Sequence, residues 1–297
     1  VSNLINNIEP QSEPTQEAIL VQTSTTPILQ ENLEPTITIE PSRTPTTEPS
    51  LTPIPSATYA VVSQKRGIDQ MEMVYVPAGN FIMGSEDGDP DEQPMHEVYL
   101  DSFWIDKFEV TNDQYKACVD AYICTPPLWD NSYLHQNYYG TRTYANYPVM
   151  RVNWHQAKNY CAWVGGRLPT EAEWEKAARG IGDRLYPWGD TPLSCQYANY
   201  GGFNGCVGDT KFVGGYPQGV SQYGAMDMIG NISEWVNDWY GENYYTASPS
   251  ENPQGPQTGE LKILRGGSHN DEKDILSVVN RFPMHPDAFD YQESYKI

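Results

Sequence analysis

Glycine, cysteine, tryptophan and phenylalanine are all missing from residues 1–60, and only one basic residue, Arg43, occurs there. What that segment does hold is nine Pro, eleven Thr and seven Glu. Too little apolar surface is on offer to offset the entropy of ordering the chain, and the prolines favour extended, polyproline-like backbone. Residues 1–66 are therefore expected to be a disordered Pro/Thr/Glu-rich stalk or linker, with a Pro-rich ligand motif as the other reading. All eight Trp, all 24 Gly and all five Cys come later. One folded domain over 67–297 is the simplest organisation.

Clusters of Lys and Arg are also lacking. Eighteen basic residues are scattered among 39 acidic ones, for a net charge of −21 and a pI near 4.4. Nucleic-acid affinity rests on clustered cations that release counterions, so no nucleic-acid partner is expected, nor docking on anionic lipid. No apolar run approaches the roughly 20 residues that cross a bilayer, and no basic segment leads into an apolar one in the manner of a signal peptide. Membrane insertion within this chain is not expected. Because the chain begins at Val1, an anchor, signal or further domain upstream is an open expectation.

From about Gly67 the texture changes to short apolar runs, aromatics and Gly/Pro turns. MVYVPAGNFIMGS (Met73 to Ser85) reads as two strands around Pro77-Ala78-Gly79, and HEVYLDSFWIDKFEV (His96 to Val110) as a half-buried strand pair. The acidic EDGDPDEQP between them reads as a loop. Thr111-x-x-Gln114 and Thr170-x-x-Glu173 have the spacing in which a cap hydroxyl takes the third amide while the longer side chain reaches back. Asn153 is placed to cap a third helix whose Ala157, Tyr160, Cys161 and Val164 share one face before Gly165-Gly166 ends it. After Arg179 only loops and elements of a few residues are signalled. The fold class is α+β with much irregular backbone, which needs staples: metal ions, disulfides or buried aromatics.

Cys118 with Cys124 and Cys195 with Cys206 have local spacings that suggest two short disulfides in an oxidising compartment, and five reduced buried cysteines are the alternative. His96, His135, His155, His269 and His285 show neither i,i+4 nor HExxH spacing, so no histidine metal site is written in the sequence. The stretch from Leu128 to Tyr147 is rich in Tyr and Asn. It suits either amphipathic contacts to a peptide or sugar, or a cover over the core.

MVYVPAGNFIMGS, Glu92-x-Pro-x-His96, FWIDKFEVTNDQY, PVMRVNWHQAKNYCAWVGGRLPTEAEWEKAARG, YPWGD, YGAMDMIGNISEWVNDWY and LRGGS occur in this order. Over about residues 68–297 the chain resembles the formylglycine-generating enzyme, or sulfatase-modifying factor, family. The resemblance implies one domain of C-type-lectin-like topology, low in regular secondary structure and often stabilised by calcium. Catalytic members oxidise a sulfatase cysteine to formylglycine with oxygen and a copper(I) ion held by two thiolates. The family places that pair just after Arg-Gly-Gly-Ser, and following Arg265-Gly-Gly-Ser268 the count falls on Asp271 and Leu276. A carboxylate and an alkyl group cannot replace soft sulfur for copper(I), so copper is not expected and no catalytic residue is assigned. His269 and Asp271 have two readings, part of a harder metal site or satisfied polar groups beside a turn.

Calcium is expected at Asp227, Gly230, Ile232 and Glu234, where the resemblance implies two side chains and two main-chain carbonyls, with Asn199, the Tyr200 carbonyl and Asp209 as a second candidate set. Without calcium the loop would be a turn presenting Trp235 and Trp239 to the core. The resemblance pairs the position of Cys161 with a cysteine in a terminal Gly-Phe-Arg-Cys motif, and the chain stops at Ile297 where that motif would begin, so truncation at the C-terminus is expected. Trp129, Tyr138, Tyr139, His269 and Arg281 are the candidates for a ligand-facing surface. Three readings follow: a calcium-stabilised extracytoplasmic binding or sensory module for a peptide, protein or carbohydrate; a copper- or iron-dependent oxidase of the formylglycine-generating type; or a structural surface-layer component.

Overall fold

The computed structural model describes residues 60–289 and the backbone of Ile5–Asn6. The expected stalk between residues 7 and 59 lies outside the described residues. At its edges that expectation needs correction. Strands β1 (Ile5–Asn6) and β2 (Ser63–Lys65) complete a four-stranded antiparallel sheet in the order β1-β6-β3-β2, with β3 at Glu72–Val76 and β6 at Phe103–Asp106. Composition marks where apolar residues begin, whereas a sheet edge recruits polar backbone such as Ser-Gln-Lys through ladder hydrogen bonds alone. Arg66 then locks the boundary. It is buried, and its guanidinium reaches Asp69 at 2.6 Å and Asp106 at 2.7 Å.

Strands β4 (Gly79–Met83) and β5 (His96–Leu100) form a separate two-stranded ribbon on either side of the acidic loop. Three helices follow: α1 (Asn112–Asp120), α2 (Trp154–Trp163) and α3 (Glu171–Arg179). Each begins at the residue that the sequence nominated. Thr111 Oγ1 accepts from Gln114 N, Asn153 Oδ1 from Gln156 N and Thr170 Oγ1 from Glu173 N, and in every case the third residue's side chain returns to the cap amide. Ala157, Tyr160, Cys161 and Val164 are buried together, and Gly165 leaves α2 at φ +81°, where a side chain would be strained.

The segment after Arg179 holds more order than expected. Strands β7 (Glu234–Trp239), β8 (Lys262–Arg265) and β9 (Phe282–Met284) make a three-stranded antiparallel sheet. The register between β7 and β8 shifts between Trp235 and Trp239, and an interrupted register hides the two-residue periodicity that announces a strand.

Two apolar clusters form the interior. One joins the first two sheets to α3 around Trp174; the other joins α1 and α2 to β7 and β8 around Tyr115, Tyr160 and Trp235. Every residue of α3 is buried, its charged ones included. Disulfides Cys118–Cys124 and Cys195–Cys206 are formed, and Cys161 is a buried free thiol whose pKa burial raises. Among the described residues no helix is long and apolar enough to cross a membrane.

Candidate functional site

The loop after β8 carries the decisive positions. Gly266 and Gly267 take φ of +83° and +69°, and a Cβ built on Gly267 would strike Leu276 Cδ2 and lie 3.4 Å from Asp271 Oδ2. The two positions at which the resemblance places thiols thus both border Gly267. Asp271 Oδ2 accepts from Ser268 N at 2.7 Å and Ser268 Oγ at 2.9 Å, while Leu276 is 2 % exposed and packed in the α3 core. The one free thiol, Cys161, sits in the other cluster. These residues do not fit copper(I): no pair of sulfurs converges here, and soft-metal coordination needs both.

A second constellation surrounds the Asp227–Glu234 loop. Glu109, at the end of the FWIDKFEV run, is wholly buried, and burial, then the charges of Asp227 and Glu234, push its pKa well up. Its carboxylate accepts from Asn231 Nδ2 at 2.7 Å and Ile232 N at 3.0 Å. Burial likewise pushes Asp227 up to about 6, against a hydrogen bond from Gly214 N. Glu234 accepts from Trp174 Nε1. No Lys or Arg among the described residues comes within ion-pair distance of Glu109 or Asp227. Sequence reasoning missed Glu109, and its only local signal is an acid between the apolar Phe108 and Val110.

The two expected calcium sets adjoin. Asn199 pairs with Gly230 in a parallel bridge, Asn231 N donates to Asn199 O, and Asn199 Nδ2 donates to Asn231 Oδ1 and to Asp209 O. A Cβ on Gly230 would collide with Asn199 O, so this approach requires glycine. Asn199 Oδ1 is buried with no hydrogen-bond partner among the described residues, as an oxygen reserved for a hard cation would be. Asp209, by contrast, already accepts from Ser132 Oγ, Leu134 N and Thr210 N, and the Tyr200 carbonyl accepts from Cys206 N. Among the described residues no three His, Cys, Asp or Glu side chains are grouped to hold a metal by themselves. A cation here would draw on carbonyl and amide oxygens beside the carboxylates, the mixed hard donor set that suits calcium.

The ligand-face candidates divide. Trp129 is 42 % exposed, and the Arg151 guanidinium lies over its ring at 5.0 Å and over Tyr133 at 5.9 Å. Tyr133 meets His269 edge-on at 5.0 Å, and Tyr133, Arg151, His269, Ser268 and Trp235 line a hollow of about 100 Å³. His269 Nδ1 is 2.9 Å from Asn231 O, which ties the hollow to the carboxylate loop. Tyr138 and Arg281 do not belong to this face. Tyr138 is 2 % exposed and donates to Pro148 O, and Arg281 is buried against Glu171 at 2.7 Å. Tyr139 is half-buried against Tyr115. Aromatic and basic residues in a loop cannot be sorted into wall and foundation from sequence, because both environments favour them.

The fold and site define a disulfide-bonded α+β domain of short sheets whose Arg265-Gly-Gly-Ser268 turn bears no thiols. Residues 58–292 match the sulfatase-modifying factor enzyme 1-like domain, and the chain belongs to that family, the formylglycine-generating enzyme family. It is 34 % identical over 247 residues to the formylglycine-generating enzyme of Streptomyces coelicolor, covering 66 % of this chain and 78 % of that one. It is 38 % identical over 233 residues to the serine/threonine-protein kinase pkn1 of Chlamydia caviae, covering 73 % of this chain but 36 % of the kinase, so it spans about a third of that relative. Among solved structures, PvdO from Pseudomonas aeruginosa superposes with a TM-score of 0.64 at 28 % identity, covering 76 % of this chain and 93 % of that one. This bears out the α+β formylglycine-generating-type fold.

Proposed function

We propose that this chain is an extracytoplasmic binding or sensory module that retains the family scaffold without the family's oxidase chemistry. The observation that carries the reading is the pair beside Gly267: Asp271 is held by Ser268 and Leu276 is buried in the core, where copper chemistry needs two sulfurs. The ligand, a peptide, protein or carbohydrate, would dock at the hollow walled by Tyr133 and Arg151 with Trp129 at its rim. Aromatic rings and a guanidinium suit such amphipathic partners. Two disulfides favour an oxidising compartment. The match to about a third of a chlamydial kinase supports a module that works beside other domains.

Calcium is part of the proposal. Asp227 and Glu234 with the carbonyls of Gly230 and Ile232 would hold it, with the buried Asn199 oxygen from the adjoining set, and its role would be to offset the charge that these acids share with Glu109 beneath His269. The second reading, an oxidase acting on a protein cysteine, is favoured by the 34 % identity to a formylglycine-generating enzyme. Incubation with copper(I), oxygen and a Cys-x-Pro-x-Arg peptide separates the two. The expected result is an unchanged peptide mass; the mass loss of aldehyde formation would replace the binding reading with the oxidase.

A further inference from the structure

A second concavity lies between the acidic loop that joins β4 to β5 and the segment that follows Asp271. It measures about 800 Å³, and its rim carries Asp87, Asp89, Glu272 and Asp274 against one cation, Lys273. Surface acids alone say little, since solvated carboxylates are the commonest furniture of an acidic protein. The floor is more informative. Glu92 lines the cleft and is only 4 % exposed. Among the described residues its side chain takes one hydrogen bond, from Asp89 N to Oε2 at 3.2 Å, and no Lys, Arg or His comes within ion-pair distance of it. Arg265, whose charge it feels, is committed to Glu171 and Glu175. A carboxylate so deeply placed and so poorly served points to a partner that the chain itself does not provide.

The rest of the lining decides what kind of partner. Leu185, Ile275, Leu276 and Val279 form an apolar floor, and Tyr186, stacked on Trp188 at 5.0 Å, presents an aromatic ring beside it. A bare metal ion has no use for that surface, and no three acidic side chains converge there to hold one. An aliphatic stem ending in a charged nitrogen uses all of it: methylenes on the floor, the cation against the ring and the carboxylates. We propose that this cleft binds an alkylammonium chain, either the lysine side chains of a peptide or a free polyamine, with Glu92 as the buried anchor and Asp274 and Glu272 as the outer guides.

This site lies apart from the hollow at Arg151, and its ligand does not depend on whether oxidase chemistry is absent. Titration calorimetry at fixed ionic strength with an end-capped tetralysine peptide, spermidine and the same peptide acetylated on every Nε tests it. Tetralysine or spermidine should bind and the acetylated peptide should not; whichever of the first two binds tighter identifies the source of the amine. Glu92→Gln should weaken binding about tenfold and Asp274→Asn about threefold, as expected for a desolvated and a rim charge pair. Asp120→Asn, on α1 outside the cleft, should leave binding unchanged. Thermal melts of each variant establish that it is folded. The proposal is overturned if neither amine binds below millimolar concentration, if acetylation makes no difference, or if Asp120→Asn weakens binding as much as Glu92→Gln.

Discussion

Two buried groups of acids in this molecule are built in opposite ways. Around α3, Glu171 and Glu175 are fully buried but matched: Arg265 bonds Glu175 at 2.6 Å, Arg281 bonds Glu171 at 2.7 Å, and Arg179 bonds Glu175 at 2.8 Å. Arg265 Nη1 and Nη2 also donate to carbonyls of Val278, Val279 and Asn280, while its Nε is buried without a hydrogen-bond partner among the described residues. In the other group Glu109 lies close enough to Asp227 and Glu234 to feel their charges, among the described residues no Arg or Lys comes within ion-pair distance of Glu109 or Asp227, and burial raises both their pKa values. The first group supplies its own counter-charge from the chain. The second has only the more distant charge of Lys211 on Asp227, and the proposed calcium would supply the rest.

Breaking the first group should have the largest effect. Arg265→Ala leaves Glu171 and Glu175 with less than their share of positive charge in a dry site, and a loss of about 3–5 kcal/mol is expected by chemical denaturation. A loss below about 1 kcal/mol would mean that water reaches these carboxylates. Next comes the second group. Excess chelator should lower the melting temperature, by the equivalent of about 2.7 kcal/mol if calcium had stood at a hundred times its Kd. An unchanged melt would remove calcium from the account.

Glu109→Gln sharpens the contrast through its sign. With chelator present the variant should melt higher than the wild type, because one of three repelling carboxylates is gone; with calcium present it should melt lower, because a negative charge that attracts the ion is gone. A variant that shifts the same way in both buffers would make Glu109 a packing residue only.

The smallest effect concerns Glu92, an acid that feels the charge of Arg265 without an ion pair among the described residues. Burial, opposed by Arg265 and reinforced by Asp89 and Asp91, pushes its pKa up to about 7 in the folded protein. A carboxyl whose folded pKa lies above its unfolded one destabilises the fold when ionised, so the penalty is absent below about 4.5 and complete above about 7. Glu92→Gln should therefore be more stable than the wild type at pH 8 and equal to it near pH 4. Equal stability at both values would show that the carboxylate is already well solvated.

Much of this molecule was legible from local chemistry. The caps at Thr111, Asn153 and Thr170 work through side chains three residues apart, and Cys118 with Cys124 closes a ring of six, so neighbouring residues suffice to specify them. The run of ordered motifs carried the family and the irregular α+β class. Less legible were the charges. Nothing near Glu109 in the chain distinguishes it from Glu97, which is exposed, and Arg281 and Tyr138 look like any basic or aromatic loop residue until the packing buries them.

By itself, then, the sequence determined where helices begin and suggested which cysteines pair, because each is a matter of residue identity at short range. Tertiary structure alone decided which buried acids meet arginines and which meet neutral donors and one another, and which aromatic residues face solvent. The cost of burying a charge depends on what surrounds it in space, and residues that surround Glu109 come from positions more than a hundred residues away.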